Sequence, residues 1–305
     1  MAIDELHVVT GAFGFTGRHI AERLLDNGHR VRTLTGHPDR PNPLGERIET
    51  APLDFEDHAR LVDDLRGAGC LYNTYWVRFP RGATTYEAAV EHSRRLFQAA
   101  AEAGVARIVH ISVTNPSTDS PLPYFRGKAL VEEALVATGA PHAIIRPSLV
   151  YGDGDILVNN IAWSLRHAPV FPIPGDGQYR VQPVFVEDVA RLAVNAGEAD
   201  ENLLEDAVGP DIFTYWDLVE RIRAVVGSRS RIVGLPPSVV LTLSSLIGLV
   251  VRDVVLTRGE IDGLMASLLV SSDPPKAPTR FDDWLVSRGA RLGVHYASEL
   301  ARHFR

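Results

Sequence analysis

The feature that most constrains this chain is a glycine-rich loop placed between an apolar run and a helical stretch. The loop is Thr10-Gly11-Ala12-Phe13-Gly14-Phe15-Thr16-Gly17, and it follows residues 6–9 and precedes residues 18–25. A strand that turns directly into a helix leaves the first N–H groups of the helix unpaired and its positive dipole end facing the turn. Because glycines let a ligand approach the backbone, the loop predicts a site for the pyrophosphate of a dinucleotide.

Strand-like apolar runs and helical patterns alternate through the first two thirds of the chain. They cover residues 6–10, 18–27, 30–35, 58–66, 71–76, 86–103, 107–113 and 124–138. Such alternation is typical of strand-helix-strand units with parallel strands. The sequence therefore predicts an α/β fold with a Rossmann-type doubly wound parallel sheet, and the glycine loop lies at its first turn, where such sheets bind nucleotides.

The pattern loosens after residue 147, where prolines and glycines between 169 and 177 indicate a loop. We expect an NAD(P)-binding domain over residues 1–200, with hinge segments at 150–185, and a smaller, mostly helical lobe over residues 201–305. Within that lobe Thr214 is the predicted N-cap of one helix, residues 257–270 form a second, and a third begins at Phe281.

Composition excludes several classes of function. A net charge of −7 over 305 residues provides no electrostatic footprint for nucleic acid. The N-terminus lacks the basic and apolar regions of a signal peptide, and the single cysteine, Cys70, is expected to be a buried core thiol, so we predict a cytoplasmic protein. No cysteine and histidine spacing indicates a metal site.

The longest apolar stretch, residues 239–251, has thirteen residues and is too short to span a bilayer, so no integral membrane segment is expected. We predict that it forms a buried helix. A surface that lies on a membrane or on a partner is the alternative.

Tyr124 and Lys128 are four residues apart in a helical pattern, so both side chains project from one face. A nearby ammonium group lowers the pKa of a phenol, which makes Tyr124 a candidate proton donor and acceptor. Ser112 and Thr114 follow a predicted strand beside the nucleotide loop, and either hydroxyl could hydrogen-bond a substrate oxygen. His110 lies within that strand and is expected to be a core residue.

On these residues the chain resembles the extended and atypical branches of the short-chain dehydrogenase/reductase superfamily. Five motifs carry the resemblance over residues 6–195: Gly11, Gly14 and Gly17; Asp54; Tyr124 with Lys128; Arg146-Pro147-Ser148-Leu149-Val150-Tyr151-Gly152; and Pro183-Val184-Phe185-Val186-Glu187-Asp188-Val189-Ala190. Within the superfamily the chain is most similar to the nucleotide-binding accessory subunit of respiratory complex I and to NmrA-like proteins.

The resemblance implies roles for individual residues. The three glycines would line the pyrophosphate, with Phe13 and Phe15 closing the loop that includes Thr16. Asp54 would lie beside the adenine, and Thr74 follows the fourth strand near the cofactor. Lys128 would also hold the nicotinamide ribose, and Tyr124 would pass the proton during hydride transfer. Pro147 and Val150 would border the nicotinamide, whereas Arg146 and Asp188 would be structural.

The chain departs from the family pattern in two places that bear on the site. The third catalytic hydroxyl of the family falls one or two residues after Ser112, where this chain has Val113 and Thr114. Large residues replace the small ones usual after the fourth strand. Tyr75, Trp76 and Arg78 would therefore lie near the cofactor or substrate, with core packing as the alternative for the two aromatic residues.

No carboxylate stands at the end of the second predicted strand, where NAD sites place one to bind the ribose 2′-OH. The available donors to a 2′-phosphate are Arg18, Arg32, His37 and Arg40. We therefore predict NADP as the cofactor, with Arg40 or Arg18 as the contact and NAD as the alternative.

These observations leave three functions open. The first is an oxidoreductase that moves a hydride between NADP(H) and the carbonyl or alcohol of a small molecule, with Tyr124 as acid and base. The second is a non-catalytic NADP(H) sensor or assembly subunit, and the third is a nucleotide-sugar epimerase or dehydratase. A homo-oligomer is compatible with each of them.

Overall fold

A computed structural model describes residues 5–303, and the chain divides into two compact units. The first unit comprises the described residues up to Pro147 together with Val186–Ala207. The second comprises Ser148–Phe185 and the described residues from Val208 onward.

The first unit contains a parallel sheet of seven strands. They are β1 (Leu6–Thr10), β2 (Arg30–Thr35), β3 (Glu49–Pro52), β4 (Ala68–Asn73), β5 (Arg107–Ile111), β6 (His142–Pro147) and, later in the chain, β11 (Leu203–Ala207). Their order across the sheet is β11-β6-β5-β4-β1-β2-β3, and every pair is parallel. The order reverses between β1 and β4, so the loop after β1 opens at the switch point of the predicted doubly wound sheet.

Helices cover both faces of this sheet. They are α1 (Phe15–Asp26), α2 (His58–Leu65), α3 (Tyr86–Glu102), α4 (Pro123–Ala137) and α6 (Val186–Gly197). Helix α1 packs against α6, while α2, α3 and α4 pack side by side. All five residues of β1 and of β5 are buried, as expected for central strands of a sheet covered on both faces.

The second unit has six helices and three pairs of short strands among its described residues. The helices are α5 (Leu157–His167), α7 (Tyr215–Val225), α8 (Pro237–Val251), α9 (Arg258–Met265), α10 (Phe281–Arg288) and α11 (Glu299–His303). The strands are β7 (Leu149–Tyr151) beside β10 (Pro183–Phe185), β8 (Val170–Pro174) beside β13 (Arg231–Leu235), and β9 (Arg180–Val181) beside β12 (Phe213–Thr214). The largely helical character predicted for residues 201–305 is confirmed. The pairs of short strands were not predicted from the sequence.

Residues 148–185 form a folded part of the second unit rather than hinge segments of the first. They contain β7 to β10 and α5, and Tyr151, Ile161 and Leu165 belong to the second unit's core. The proline-rich stretch that indicates a loop in the sequence includes β8, which pairs with β13 alone. Proline is tolerated in a strand that needs hydrogen bonds along one edge only.

Two of the three predicted helix starts in the C-terminal part are decided by caps. The hydroxyl of Thr214 accepts from the N–H of Asp217, and Thr257 forms a reciprocal capping box with Glu260. The second of these helices is shorter than predicted, because α9 ends at Met265 and Ser267 has a positive φ of 54°.

The prediction of a helix over residues 239–251 is confirmed, whereas the prediction that this helix is buried is wrong. The helix exists as α8, but of its described residues only Val240, Ser244 and Gly248 are buried. Leu246, Leu249 and Val250 are 56%, 77% and 83% exposed. An apolar composition indicates burial only if another element covers the helix, and within this chain α8 is covered along one narrow side.

Candidate nucleotide and catalytic site

The glycine loop has the geometry that a pyrophosphate site requires. Gly11 has φ +69°, and its N–H donates to the carbonyl of Leu34 on β2 at 2.9 Å. A Cβ on Gly17 would lie 2.4 Å from the Gly11 carbonyl oxygen, so only glycine fits there. Gly14 is the N-cap of α1 and has no side chain to occupy the amides of the first turn. The loop therefore presents these amides at the positive end of α1.

The other loop residues lie at the start of α1. Phe13, Phe15 and Thr16 are half-buried around the entrance of α1, and the ring of Phe15 meets His19 edge to face. The N–H of Ala12 donates to the hydroxyl of Thr33 at 3.1 Å, which fixes the loop to β2.

The basic residues near the end of β2 differ in their availability. Arg32 is committed to structure, because its guanidinium contacts Glu49 and the carbonyl of Asp64, each at 2.8 Å. His37 is exposed and Arg40 half-exposed in the loop after β2. Arg18, on the first turn of α1, forms an exposed ion pair with Glu22 at 3.5 Å. Arg18, His37 and Arg40 remain the candidate contacts to a 2′-phosphate.

Asp54 lies in the loop after β3, where it is exposed and accepts a hydrogen bond from the N–H of Glu56 at 2.9 Å. This turn presents the carboxylate at the same edge of the sheet as the glycine loop, because β1, β2 and β3 are parallel.

A buried polar network connects the ends of β1, β4 and β5. The Thr10 hydroxyl donates to the Asn73 side chain at 3.0 Å and accepts from the N–H groups of Thr74 and Tyr75. The Asn73 amide lies 3.1 Å from His110 Nδ1. Thr74 in turn donates its hydroxyl to the Thr10 carbonyl. The sequence prediction that His110 is a core residue is confirmed, and burial holds the pKa of His110 well below its ordinary value.

The large residues after β4 separate into two environments. Tyr75 packs on Phe55 and hydrogen-bonds His92 Nδ1 at 2.9 Å, and burial raises the pKa of Tyr75 to about 12. Trp76 instead stacks on Tyr86 and meets Tyr124 edge to face, with centroid distances of 5.9 and 6.0 Å. Trp76 is thus the aromatic residue of this pair that lies beside the predicted catalytic tyrosine.

Arg78 continues the segment beyond Trp76. Its guanidinium lies 5.6 Å from the ring centroid of Phe79, and its carbonyl accepts the Tyr86 hydroxyl at 2.9 Å. Arg78 therefore anchors the residue on which Trp76 stacks.

Helix α4 positions Tyr124 and Lys128 one turn apart. Pro123 is the first residue of α4, where a missing N–H costs nothing, and Tyr124 follows it half-buried. Lys128 is 3% exposed, donates from Nζ to the Ile111 carbonyl at 2.8 Å and lies 4.9 Å from the centroid of the Trp76 ring. Burial lowers the pKa of Lys128 to about 7, against the smaller opposite effect of Glu132.

Gly127 makes this arrangement possible. A Cβ at this position would lie 2.7 Å from the Trp76 ring. The Trp76 ring therefore fits against α4 because residue 127 is a glycine.

The two candidate hydroxyls follow β5. Ser112 is 4% exposed, its N–H donates to the Ile145 carbonyl at 2.7 Å, and its Oγ has no hydrogen-bond partner among the described residues. Thr114 is fully buried, and its N–H donates to the Pro147 carbonyl at 3.1 Å. Because a buried hydroxyl without a partner is costly, Ser112 is the better candidate to meet a substrate oxygen.

The last motif residues end the first unit or lie in the second. Pro147 is the final residue of β6, whereas Val150 lies in β7 of the second unit. Arg146 pairs with Glu132 of α4 through both carboxylate oxygens, and Asp188 lies in the first turn of α6, 3.6 Å from Arg191. Arg146 and Asp188 thus have structural partners, as the resemblance implies.

Thr10, Asn73 and Tyr86 also belong to the site, although their roles are not evident from the sequence. Thr10 and Asn73 each end a strand, which is the signal that could have identified them. Tyr86 carries no such signal, because its contact with Trp76 depends on the path of the loop between β4 and α3.

One cluster of possible metal ligands occurs away from this site. Glu5, His7 and His29 bring three ligand atoms within 4.8 Å of one another at the start of β1 and β2. His7 Nε2 and His29 Nδ1 are 3.1 Å apart, so a hydrogen bond between the imidazoles accounts for their proximity without an ion.

Comparison with known proteins identifies the family. The model of the NAD dependent epimerase/dehydratase family matches residues 7–208. The chain belongs to this family. This family is the extended branch of the predicted superfamily, so the predicted family membership is confirmed.

Individual relatives agree with this assignment. The chain is 28% identical over 239 residues to the Arabidopsis thaliana NADH dehydrogenase (ubiquinone) 1 alpha subcomplex subunit 9, mitochondrial, covering 75% of this chain and 60% of that protein. It is 28% identical over 253 residues to the ceramide reductase of Caulobacter vibrioides, covering 81% and 79%. The predicted similarity to a complex I subunit is confirmed. The alignment leaves two fifths of the Arabidopsis protein unmatched.

Solved structures share the fold. A UDP-glucuronic acid 4-epimerase from Bacillus cereus, solved with NAD, has a TM-score of 0.65 at 20% identity, covering 76% of this chain and 86% of the epimerase. The Rossmann fold with a parallel sheet is therefore confirmed. Among residues 5–303, no helix combines the length and apolar character needed to cross a bilayer.

Proposed function

We propose that this protein is an NADP(H)-dependent oxidoreductase that acts on the carbonyl or alcohol of a small molecule. The observation that carries the proposal is the pair on α4, Tyr124 half-buried with the buried Lys128 one turn later. A hydroxyl without a partner at Ser112, after the adjacent strand, supplies the third polar group.

In the proposed reaction three side chains of the protein have separate roles. Bound at the glycine loop, NADPH would supply the hydride that reduces the substrate carbon. Tyr124 donates its phenolic proton to the substrate oxygen, and Ser112 orients that oxygen by a hydrogen bond. A protonated Lys128 on the same helix face stabilises the tyrosinate left behind. Oxidation of an alcohol uses the same groups in reverse.

The preference for NADP(H) follows from the loop after β2. Gly36 and His37 occupy the place where an acidic residue would bind the ribose 2′-OH. Arg40 follows in the same loop, and Arg18 lies near the start of α1 at the same edge of the sheet. A 2′-phosphate would meet cations there. NAD is the alternative, and it is the nucleotide bound by the Bacillus cereus epimerase.

The neighbours of the catalytic pair favour an apolar substrate. Trp76, Tyr86 and Phe125 surround the Tyr124 ring, with centroid distances of 6.0, 6.1 and 5.4 Å. Aromatic faces bind apolar groups and exclude water, which suits an aliphatic or aromatic carbonyl compound. The relative from Caulobacter vibrioides is named a ceramide reductase.

Nucleotide-sugar epimerisation is the second candidate, and family membership is the observation that favours it. An epimerase regenerates its nucleotide in each cycle, whereas a reductase consumes it. Net change in NADPH absorbance therefore separates the two.

The test is a screen of apolar ketones and aldehydes with NADPH, followed by Tyr124→Phe on the best substrate. We expect kcat to fall by about 100-fold or more, as for loss of a general acid. Tyr75→Phe is the matched control, because it removes an equally phenolic hydroxyl that hydrogen-bonds His92 instead; its kcat should stay near the wild-type value.

Other results would refute the proposal. If Tyr124→Phe turns over substrate as fast as the wild type, Tyr124 is not the acid. If nucleotide binds and none of the carbonyl compounds is reduced, the sensor hypothesis is favoured.

A further inference from the structure

Helix α8 exposes a continuous apolar face. Val239, Leu243, Leu246, Leu249 and Val250 recur at three-, four- and seven-residue spacings along one side of the helix, and all are exposed. We call these five residues the α8 face. No charged residue occurs between Pro237 and Val251. A patch of this kind is characteristic of a binding surface.

Packing on the other side fixes the direction of this face. Val240, Ser244 and Gly248 are buried at four-residue intervals, and α8 packs against β8. A Cβ on Gly248 would lie 2.6 Å from the Asp253 carbonyl oxygen. The small residues are therefore required inward, and the large aliphatic side chains cannot rotate into their place.

Two exposed hydroxyl groups of α8 are hydrogen-bonded within the helix. The Thr242 hydroxyl donates to the Ser238 carbonyl at 3.0 Å, and the Ser245 hydroxyl donates to the Leu241 carbonyl at 2.8 Å. Pro236 and Pro237 remove two N–H groups at the start of the helix. In hydrocarbon every unsatisfied donor costs several kcal/mol, whereas in water or against a polar partner it costs little. This pattern suits a lipid environment.

The end of α8 is also hydrogen-bonded. Arg252 adopts a left-handed conformation with φ 55°, and the N–H groups of Arg252 and Asp253 both donate to the Gly248 carbonyl. The Gly248 carbonyl, in the last turn of the helix, therefore has two donors within the chain.

The exposed charge adjoining α8 is positive. Arg252 is exposed at its C-terminus, whereas the Asp253 carboxylate is buried and accepts from the N–H groups of Glu299 and Leu300. Arg229 and Arg231, which precede the helix, are exposed as well, and no acidic residue occurs in the sequence between them and Asp253. Local cationic charge beside an apolar face complements an anionic lipid surface.

We propose that α8 lies in the plane of a membrane containing anionic phospholipids, with the α8 face in the acyl boundary. The helix is about 22 Å long at 1.5 Å per residue, shorter than the roughly 30 Å hydrocarbon core, so it lies on the bilayer and does not cross it. This attachment is independent of the proposed redox reaction.

The test is flotation of the full chain with phosphatidylcholine vesicles, with and without phosphatidylglycerol. We expect the wild type to float with the anionic vesicles and to be released by high salt. Leu249→Glu combined with Val250→Glu should lower the amount of protein recovered with the vesicles by more than about tenfold, since two aliphatic side chains that would enter the membrane are lost. Val286→Glu is the matched control, because Val286 is 72% exposed on α10 of the same unit, and it should float like the wild type.

A second measurement does not depend on the stability of the glutamate variants. Val250→Cys carries an environment-sensitive fluorophore, and Val286→Cys is its control; native Cys70 is buried and resists labelling. We expect a blue shift with anionic vesicles at position 250 alone.

The proposal would be overturned if the wild type floated with neither kind of vesicle, or if Val286→Glu reduced vesicle recovery as much as the double variant does. It would also be overturned if the wild type were a dimer that did not float and that the double substitution dissociated. The last result would assign the α8 face to a second copy of the chain.

Discussion

Lys128 gives the strongest quantitative prediction, because its ammonium group is buried where water cannot solvate it. Burial lowers the pKa of Lys128 from 10.5 to about 7. Between these two values the unfolded chain binds more protons at this residue than the folded protein does. The free energy of unfolding therefore rises with pH over this range and is lowest at and below pH 7.

Lys128→Met isolates this effect, since the other titrating groups are common to both proteins. From the two pKa values, the wild type should lose about 2 kcal/mol of stability relative to Lys128→Met between pH 9 and pH 7. Urea unfolding of nucleotide-free protein at several pH values measures this difference. A gap between the two proteins that does not change with pH would refute the lowered pKa of Lys128.

Three further predictions concern other parts of the first unit. Gly17→Ala should weaken NADPH binding by at least about tenfold in a calorimetric titration, because the new Cβ would lie 2.4 Å from a loop carbonyl, while Gly259→Ala, which meets no atom within 4 Å, should leave binding unchanged. Thr10→Val should lower the free energy of unfolding by about 2 kcal/mol, because the buried N–H groups of Thr74 and Tyr75 lose their acceptor. Thr138→Val, at a helix end, should lower it by less than about 1 kcal/mol. Equal losses in the two variants would contradict the role of Thr10 in the buried hydrogen-bond network. Cys70, whose thiol pKa is raised to about 12 by burial, should resist iodoacetamide at pH 8 in the native protein and react once it is unfolded; rapid native labelling would contradict its placement.

The parts of the site that could be predicted from sequence are those set by local spacing. Gly11 to Gly17 follow a strand and begin a helix, and Tyr124 and Lys128 are one helical turn apart. These relations depend on backbone geometry within a few residues, so the sequence pattern determines them.

Contacts between distant segments could not be predicted in the same way. Trp76 lies over Lys128, 52 positions later in the chain, and the sequence shows only that a large residue follows β4. The exposure of α8 is a similar case. Its composition indicates an apolar environment, but whether that environment is protein or lipid depends on which surfaces the tertiary fold leaves uncovered.

The assignment of Tyr75 shows why residue type alone does not define a site. Tyr75 and Trp76 are adjacent and both aromatic, so the sequence treats them alike. In the structure the Tyr75 hydroxyl is satisfied by His92, while Trp76 faces Tyr124. Two neighbours in the sequence therefore have different surroundings, which only the folded structure distinguishes.

We propose that the glycine loop binds a dinucleotide and that Arg18 and the loop after β2 select NADP(H). The decisive measurement is calorimetric titration of nucleotide-free protein with NADPH, NADP, NADH and NAD in parallel. We predict binding with a clear preference for the two phosphorylated forms, and loss of that preference in Arg40→Ala or Arg18→Ala. Absence of binding by all four nucleotides would contradict the account, because the loop after β1 would then be a turn without a ligand.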